Sequence, residues 1–442
     1  MSTGIVWFRR DLRLADNPAW TAATRRHDEV VPLFVIDPHL WDRVTERRRA
    51  LLAGHLRSLD DTLRAMGGRL RVECGDPAAI VTGVAASTGA HDVTANADVT
   101  PYSARRDAAV AAAMDLELHH GSLVHRPGSV LTRDGRRYRV FTPFSRAWFN
   151  TPIAQLPGPG DARVAADEGS GIPAAGRPPV EPGEAAAGRR LDEFDPARYA
   201  VEGNRPDLDS TSRLSIDLKY GTLSPVTVYD RIGTSSNGAR AFVRQLAWRD
   251  FHAHLLDENP RLVDSAMKPA YDEIDWRNDT QGFEAWCQGM TGYPLVDAGM
   301  RQLLGEGWMH NRIRLVTASF LVKDLLIDWR RGERWFRRHL LDADVSQNVG
   351  NWQWVTGSGA DAAPYFRIFN PVSQSKRFDP DGEYVRRWVP ELAGVPGTAV
   401  HEPWKSGPIE LASWGAAAYP GPIVDHAAAR ERTLDAYRVA LD

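Results

Sequence analysis

Across its first 120 or so residues the chain sets short strand-like runs against segments with helical spacing, and that alternation leaves few folds open. "GIVWF" (4–8), "VVPLFVI" (30–36), "RLRVE" (69–73) and "DVTAN" (92–96) read as strands. Between them, "RRRALLAGHLRSLDDTLRAM" (47–66), "PAAIVTGVAAS" (77–87) and "SARRDAAVAAAM" (103–114) read as amphipathic helices. Such alternation predicts a parallel, doubly wound sheet. The expected fold class is therefore an α/β N-terminal domain with a Rossmann-like parallel five-stranded sheet. No G-x-G-x-x-G follows the first strand, so the dinucleotide fingerprint is missing. In its place stands "RRDLRLADNPA".

The character changes after residue 150. Of the 40 positions 151–190, 23 are Pro, Gly or Ala, which predicts an extended linker. From about Leu191 the spacing is almost wholly helical. "LSPVTVYDRI" (223–232) offers Ser-Pro as N-cap and first turn, and 238–258 and 311–329 have apolar helical periodicity. The expected organisation is an α/β domain over 1–130, a linker over 131–190 and an all-α domain over 191–442.

Composition narrows the function classes. A net charge of −3 means that any polyanion must be met by a local patch. Two cysteines, Cys74 and Cys287, make neither a disulfide framework nor a metal-ligand spacing, which fits a reducing cytoplasm. Arg9, Arg10, Asp11 and Arg13 interrupt the only apolar start, arguing against a secretory leader, and nothing approaches a membrane-spanning run. The outlier is tryptophan: fifteen in all, eleven of them after residue 240.

Several stretches carry chemistry and a plainer reading side by side. "DSTSRLS" (209–215) can present N–H groups and hydroxyls to phosphate, or be a capped turn. Gln245, Trp248, Arg249 and His252 share a helix face that suits an unpaired base, or a half-buried Trp beside a snorkelling Arg. Residues 301–340 hold nine Lys or Arg against four Asp or Glu, interleaved with Trp308, Trp329 and Trp335. That pattern fits nucleic acid, or a solvated face. Asp342 and Asp344 have a spacing open to a metal, but a charge pair between Asp342 and an arginine of 311–329 is the better reading. In "NVGNWQWVTGSG" (348–359), bulky indoles stand among asparagines and glycines, where regular backbone is least expected.

Taken together, "WFRRDLRLADNPA", "TSRLS", "QLAWRDF", "GYPLVDAGMRQL", "GWMHNRIRLVTASFLVKDLLIDW", "LLDADVSQNVGNWQW" and "RIFNPVSQSKRFDPDGEYVRRWVPEL" resemble the DNA photolyase/cryptochrome family, most closely its class I branch that reverses cyclobutane pyrimidine dimers. The resemblance implies FAD folded back within the helical domain. Tyr199 and Thr211, Ser212, Arg213, Leu214 and Ser215 would hold its phosphates and ribityl chain. Phe242, Trp308, Asn311 and Arg314 would line its pocket, with Arg314 paired to Asp342 and Asp344 near the adenosine side. Asn348 matches the position facing flavin N5, where an amide, unlike an aspartate, presents no permanent charge. The family ties it to reaching the fully reduced FADH⁻.

The resemblance gives the two neighbouring tryptophans separate tasks. Trp352 would begin an electron-transfer chain that runs through Trp329 to Trp276 at the surface. Trp354 would wall a lesion pocket opposite Trp248, where an extruded dimer stacks. Gln245, Arg249, Asn311, Arg312, Leu315 and Gln374 match positions at the lesion or its backbone. The implied reaction is light-driven electron transfer from excited FADH⁻ to the dimer, ring splitting and electron return, carried out by a cytoplasmic monomer on UV-damaged DNA.

Departures are specific. Gln245 replaces the glutamate usual in dimer-repairing members, Leu315 a methionine and Phe242 a frequent tryptophan. Glutamine at 245 is typical of (6-4) photolyases, but the histidines those enzymes need at Leu315 and near Asn311 are missing. An antenna chromophore is implied in the N-terminal domain. Arg10, Arg48, Asp98 and Lys219 agree with 8-hydroxy-5-deazaflavin, and the Asn-Glu pair of methenyltetrahydrofolate binders is absent from "DVTPYSARRD". The rival functions are (6-4) repair, a cryptochrome-type blue-light receptor, and a nucleic-acid-binding module without flavin.

Overall fold

The central apolar runs of the N-terminal half, Thr3–Phe8, Glu29–Ile36 and Asp92–Asn96, form strands buried almost throughout, between helices that the same segment supplies. The computed structural model describes residues 2–441. Five strands, β1 (Thr3–Phe8), β2 (Glu29–Ile36), β3 (Arg71–Cys74), β4 (Asp92–Asn96) and β5 (Asp115–His119), pair in parallel in the order β3-β2-β1-β4-β5. The expected five-stranded doubly wound sheet is present, with one addition. A two-residue β6 (Arg163–Val164) from the Pro/Gly/Ala-rich stretch pairs with the start of β2. That stretch also contributes the helix Glu184–Glu193, so it is more structured than a plain linker.

The crossover helices begin where the sequence caps them. In α1 (Pro18–Arg26), α2 (Glu46–Ala65), α3 (Pro77–Thr88) and α4 (Pro101–Ala111), Asn17, Asp76 and Thr100 each accept a backbone N–H of the first turn of α1, α3 and α4. Proline at the first helical position follows each of those three caps. Gly89 ends α3 in the left-handed region at φ 70°. Ile5, Trp7, Leu33, Val81, Val93 and Val110 form the core between sheet and helices.

By internal contacts the chain divides into two compact units, residues 1–197 with 212–260, and 198–211 with 261–442. The first unit includes α5 (Phe141–Asn150) and the long α6 (Asn237–Glu258). The second is helical. There the run 311–329, expected as one helix, is broken. After α7 (Asn311–Ser319) the chain widens into a π-helical turn, Phe320–Asp324. Leu326 then turns left-handed at φ 53°, and Asp328 caps a new helix, α8 (Trp329–His339). A second correction concerns "NVGNWQWVTGSG". Most of it is regular helix, α9 (Val345–Thr356), capped by Asp344 and ended by Gly357 at φ 94°. The C-terminal helix is α10 (His426–Leu441). No helix among the described residues is long and apolar enough to cross a membrane.

Candidate functional site

In the second unit α7, α8 and α9 enclose a cavity with about 480 Å³ of empty space, the solvent at its mouth included. One stripe of α9 faces it. Asp344, Gln347, Asn348, Asn351, Trp352 and Val355 follow one another at alternating steps of three and one, which is what 3.6 residues per turn brings to one side. Asn311, Arg314 and Asp342 complete the polar wall, with Leu315 an apolar neighbour.

The expected pair is present: Arg314 Nη2 donates to Asp342 Oδ2 at 2.8 Å, while its Nε donates to the Met309 carbonyl. Asp342 is 7% exposed, and its second oxygen, Oδ1, is buried without a hydrogen-bond partner among the described residues. A buried carboxylate oxygen left in this way costs free energy unless a donor reaches it. An N–H or O–H of a bound heterocycle or ribityl chain is such a donor, so the wall fits a flavin nucleotide. Asp344 lines the same cavity and also caps α9, accepting from Gln347 N and the Ser346 hydroxyl.

Asn348 is held by a residue that sequence reasoning missed. Its Nδ2 donates to the Glu333 carbonyl at 3.0 Å and to Glu333 Oε1 at 2.9 Å. Both partners are acceptors only, which fixes the amide's orientation and leaves its oxygen as the end Glu333 does not hold. Glu333 is 2% exposed; burial pushes its carboxyl pKa up, and Arg337 at 3.1 Å opposes that. No local spacing announces this partnership across 15 positions.

Trp352 and Trp329 are buried and Trp276 is half-buried. Trp352 lies edge-on to Phe336 at 5.1 Å and to Trp286 at 6.3 Å. Trp286 was not singled out from sequence; its indole N–H donates to the Thr317 carbonyl. Trp354, two residues on, is half-buried and does not line the cavity. On the same unit, Arg312 stacks its guanidinium over Phe378 at 4.4 Å and donates to Asn204. Burial, then Arg377 and Arg367, push its pKa down, marking a basic cluster receptive to anions. Gln374 lies on the Pro371–Phe378 helix beside it. Tyr199 and Thr211 belong to this unit, and burial pushes the Tyr199 phenol up to about 12. Trp308 is buried.

In the first unit, Trp248 stacks on Phe141 with ring centroids 3.5 Å apart and planes 9° apart, so one indole face is already covered. Gln245 is exposed on α6, donating to the Ala241 carbonyl. Arg249 differs from expectation: it is 8% exposed, and its guanidinium donates to the carbonyls of Ser122 and Leu218. That makes it an internal clamp rather than a surface contact for DNA. Phe242 is buried against Phe194. Within Ser212–Ser215, Arg213 takes a left-handed φ of 53°, a costly backbone state for a non-glycine residue and one that clusters at ligand sites.

The sheet reverses its strand order between β1 and β4, and the crevice beyond their carboxyl ends is where doubly wound folds take ligands. A small cavity lies there, lined by Arg9, Arg10, Asp11, Asn96, Asp98 and Arg106, among others. Arg10 and Asp98 are ion-paired at 2.9 Å. Of the four expected antenna residues these two meet at the crevice; Arg48 and Lys219 are not among its lining residues. No group of three His, Cys, Asp or Glu among the described residues is placed to hold a metal.

Comparison with known proteins matches residues 4–160 to the DNA photolyase family model and residues 242–439 to the FAD binding domain of DNA photolyase. The chain is 45% identical to deoxyribodipyrimidine photo-lyase of Streptomyces griseus, covering 98% of each chain. It is 38% identical to that of Escherichia coli, covering 100% of this chain and 99% of the other. Among solved structures, a bacterial class III photolyase from Agrobacterium tumefaciens superposes with a TM-score of 0.93 at 38% identity, over 100% of this chain and 98% of that one. An archaeal photolyase from Sulfolobus tokodaii with two FAD molecules gives 0.88 at 31%, over 99% and 100%.

Proposed function

The chain belongs to the DNA photolyase family, and from that premise we propose that it is a deoxyribodipyrimidine photo-lyase that splits cyclobutane pyrimidine dimers with FAD as its working cofactor. The observation that carries the reading is the cavity wall of Asn348, Arg314 and Asp342, where an amide held by Glu333 stands beside a carboxylate oxygen lacking a donor. FAD held by these residues would supply light-driven one-electron chemistry with no net redox change, so no second redox substrate would be consumed.

The chain's own residues do the rest. Asp342 accepts a cofactor N–H or O–H while Arg314 balances its charge. Asn348 offers an uncharged amide whose position Glu333 fixes. Trp352, Trp329 and Trp276 relay an electron inward when the cofactor must be reduced, since indoles oxidise readily. Trp248, backed by Phe141, gives the lesion a stacking face, and Trp354 gives another. Arg312 and Gln374 meet the DNA backbone. Gln245 donates a hydrogen bond to a pyrimidine carbonyl but cannot supply a proton, which predicts slower splitting than a glutamate would allow. An antenna, 8-hydroxy-5-deazaflavin before methenyltetrahydrofolate, is proposed at the Arg10–Asp98 crevice.

The deciding experiment follows oligothymidylate carrying cyclobutane dimers, with photoreduced protein under blue light, by recovery of thymine absorbance against a dark control. Light-dependent recovery supports the reading. No recovery from reduced, flavin-loaded protein overturns it and turns attention to (6-4) lesions.

A further inference from the structure

Beyond Trp276 the row of oxidisable rings does not stop. Tyr437 of α10 meets Trp276 edge-on, with centroids 6.2 Å apart. It lies nearly parallel to Tyr365 at 6.2 Å and edge-on to Tyr271 at 5.9 Å. Phenols that can shed a proton are oxidised about as readily as indoles. An electron hole reaching Trp276 therefore faces three more candidate sites, and something must decide whether it moves on.

Two features bear on Tyr437. The first is Lys323, in the π-helical turn and 1% exposed. Its Nζ donates to the carbonyls of Thr356 at 3.1 Å and Tyr365 at 3.2 Å, and lies 3.9 Å from the Tyr437 ring centroid. Two carbonyl oxygens and an aromatic face suit an ammonium. Burial works against the charge and pulls the Lys323 pKa down to about 7, so the ammonium is the form on the acid side of neutrality. The second feature is the Tyr437 hydroxyl, fully buried and without a hydrogen-bond partner among the described residues.

We propose that Lys323, set over a phenol that lacks a proton acceptor, is the deciding group that keeps Tyr437 redox-silent, so that the hole ends on Trp276. The proposal rests on the reading of Trp352, Trp329 and Trp276 as a relay. Passing one electron from Tyr437 to oxidised Trp276 would restore the indole and leave a phenol radical cation. That species is strongly acidic, and its proton has no acceptor within hydrogen-bond reach. It would also set a positive ring beneath an ammonium. Both penalties oppose the step. The consequence is useful: half-buried Trp276 is within reach of a dissolved reductant, whereas Tyr437 is not. Lys323 is thus a positioning residue for charge, acting through Tyr437 and not among the residues that line the cavity.

The test reads radical identity rather than repair. The oxidised flavoprotein is flashed on the acid side of neutrality, and transient absorption separates tryptophanyl from tyrosyl signals. A parallel arm oxidises flavin-free protein with azide radicals, so it does not depend on the flavin. Wild type is expected to show no tyrosyl signal traceable to Tyr437, and Tyr437→Phe, which removes only a hydroxyl with no partner, should leave the tryptophanyl decay unchanged. Lys323→Met should gain a tyrosyl signal that Lys323→Met/Tyr437→Phe lacks, with circular dichroism confirming the fold of each. A tyrosyl signal in wild type that Tyr437→Phe abolishes overturns the proposal, as does a Lys323→Met signal identical to wild type. If flash excitation yields no tryptophanyl radical in any variant, the relay reading fails, and the azide arm still decides whether Tyr437 is silent.

Discussion

Gly332 allows α8 to pass against Trp352, and replacing it tests how firmly that indole is pinned. A methyl built at Gly332 would stand 2.2 Å from Trp352 Cη2 and 2.5 Å from Leu321 Cδ2. Carbon atoms settle about 3.5–4.0 Å apart, so both neighbours would have to retreat by roughly 1 Å or more. Neither has room, since Trp352 is 2% exposed and Leu321 is fully buried. Overpacking costs about 1–3 kcal/mol, and two overlaps this short belong to the upper half of that range. Replacing Gly by Ala inside a helix returns about 1 kcal/mol. The net loss in Gly332→Ala is therefore about 1–2 kcal/mol, or roughly 2–8 °C in the melting of a unit of this size. Gly83→Ala is the control: it too lies inside a helix, but it is exposed and nothing stands within 4 Å of the added methyl, so it should gain up to about 1 kcal/mol. Scanning calorimetry measures both. If Gly332→Ala melts at or above wild type while Gly83→Ala behaves as expected, Trp352 is not fixed by α8, and the argument for its rigid placement fails.

Trp352→Phe should abolish light-driven flavin reduction while leaving affinity for dimer-containing DNA intact; Trp248→Ala should do the reverse, costing about 1–3 kcal/mol of binding for the lost stack, read by fluorescence titration. Glu333→Leu should destabilise the second unit by about 1–3 kcal/mol in urea, because Arg337 and the Asn348 amide lose a buried partner, and Glu333→Gln should recover part of that. His55 is fully buried, accepts the Gly183 N–H on Nδ1, and burial pulls its pKa from 6.5 to about 3. The unfolded imidazole therefore binds protons that the folded one refuses, so stability is full above pH 6.5 and falls as pH drops towards about 3. Urea midpoints across that window should show a shallower acid limb in His55→Phe. Gln245→Glu should raise the repair yield per photon; an unchanged yield would mean that glutamine is not what slows splitting.

The strands were legible because each packs an apolar run between turn residues, and the parallel sheet followed from the helices between them. β5 was harder to place by name: "DLELH" alternates charge with leucine, as a partly exposed edge strand does. The break within 311–329 was hidden by continuous apolar spacing, although Asp328 before Trp329 is a cap signal of the ordinary kind. α9 is hard to read from sequence for the opposite reason. Asparagines and glycines suggested loop, while Asp344 and Gly357 marked the two ends of a helix. Glu333 and the Phe141 support under Trp248 were out of reach, because their partners lie 15 and 107 positions away and obey no local period. Functional roles came from motifs, not from periodicity. Where the structure moved a residue, as with Arg249, burial decided it.

α9 also explains how one dozen residues serve several tasks without confusing them. Successive residues on a helix are about 100° apart, so Trp352 and Trp354 point about 200° apart and cannot share a surroundings. The spacing separates the two indoles; it does not say which faces the cavity. Gln353, between them, settles that. It is 2% exposed, its Oε1 accepts the Met267 N–H at 2.9 Å, and its Nε2 donates to the carbonyls of Leu262 at 2.9 Å and Ser265 at 3.0 Å. Three backbone groups between Leu262 and Met267 thus grip a single side chain. Rotating α9 by one residue would leave all three unpaired, and the buried Leu262 carbonyl alone would cost about 1–3 kcal/mol. It would also carry Asn348 away from Glu333. The helix is held at one angle by an amide on one side and a carboxylate on the other, and that angle assigns Trp352 to the cavity and Trp354 away from it.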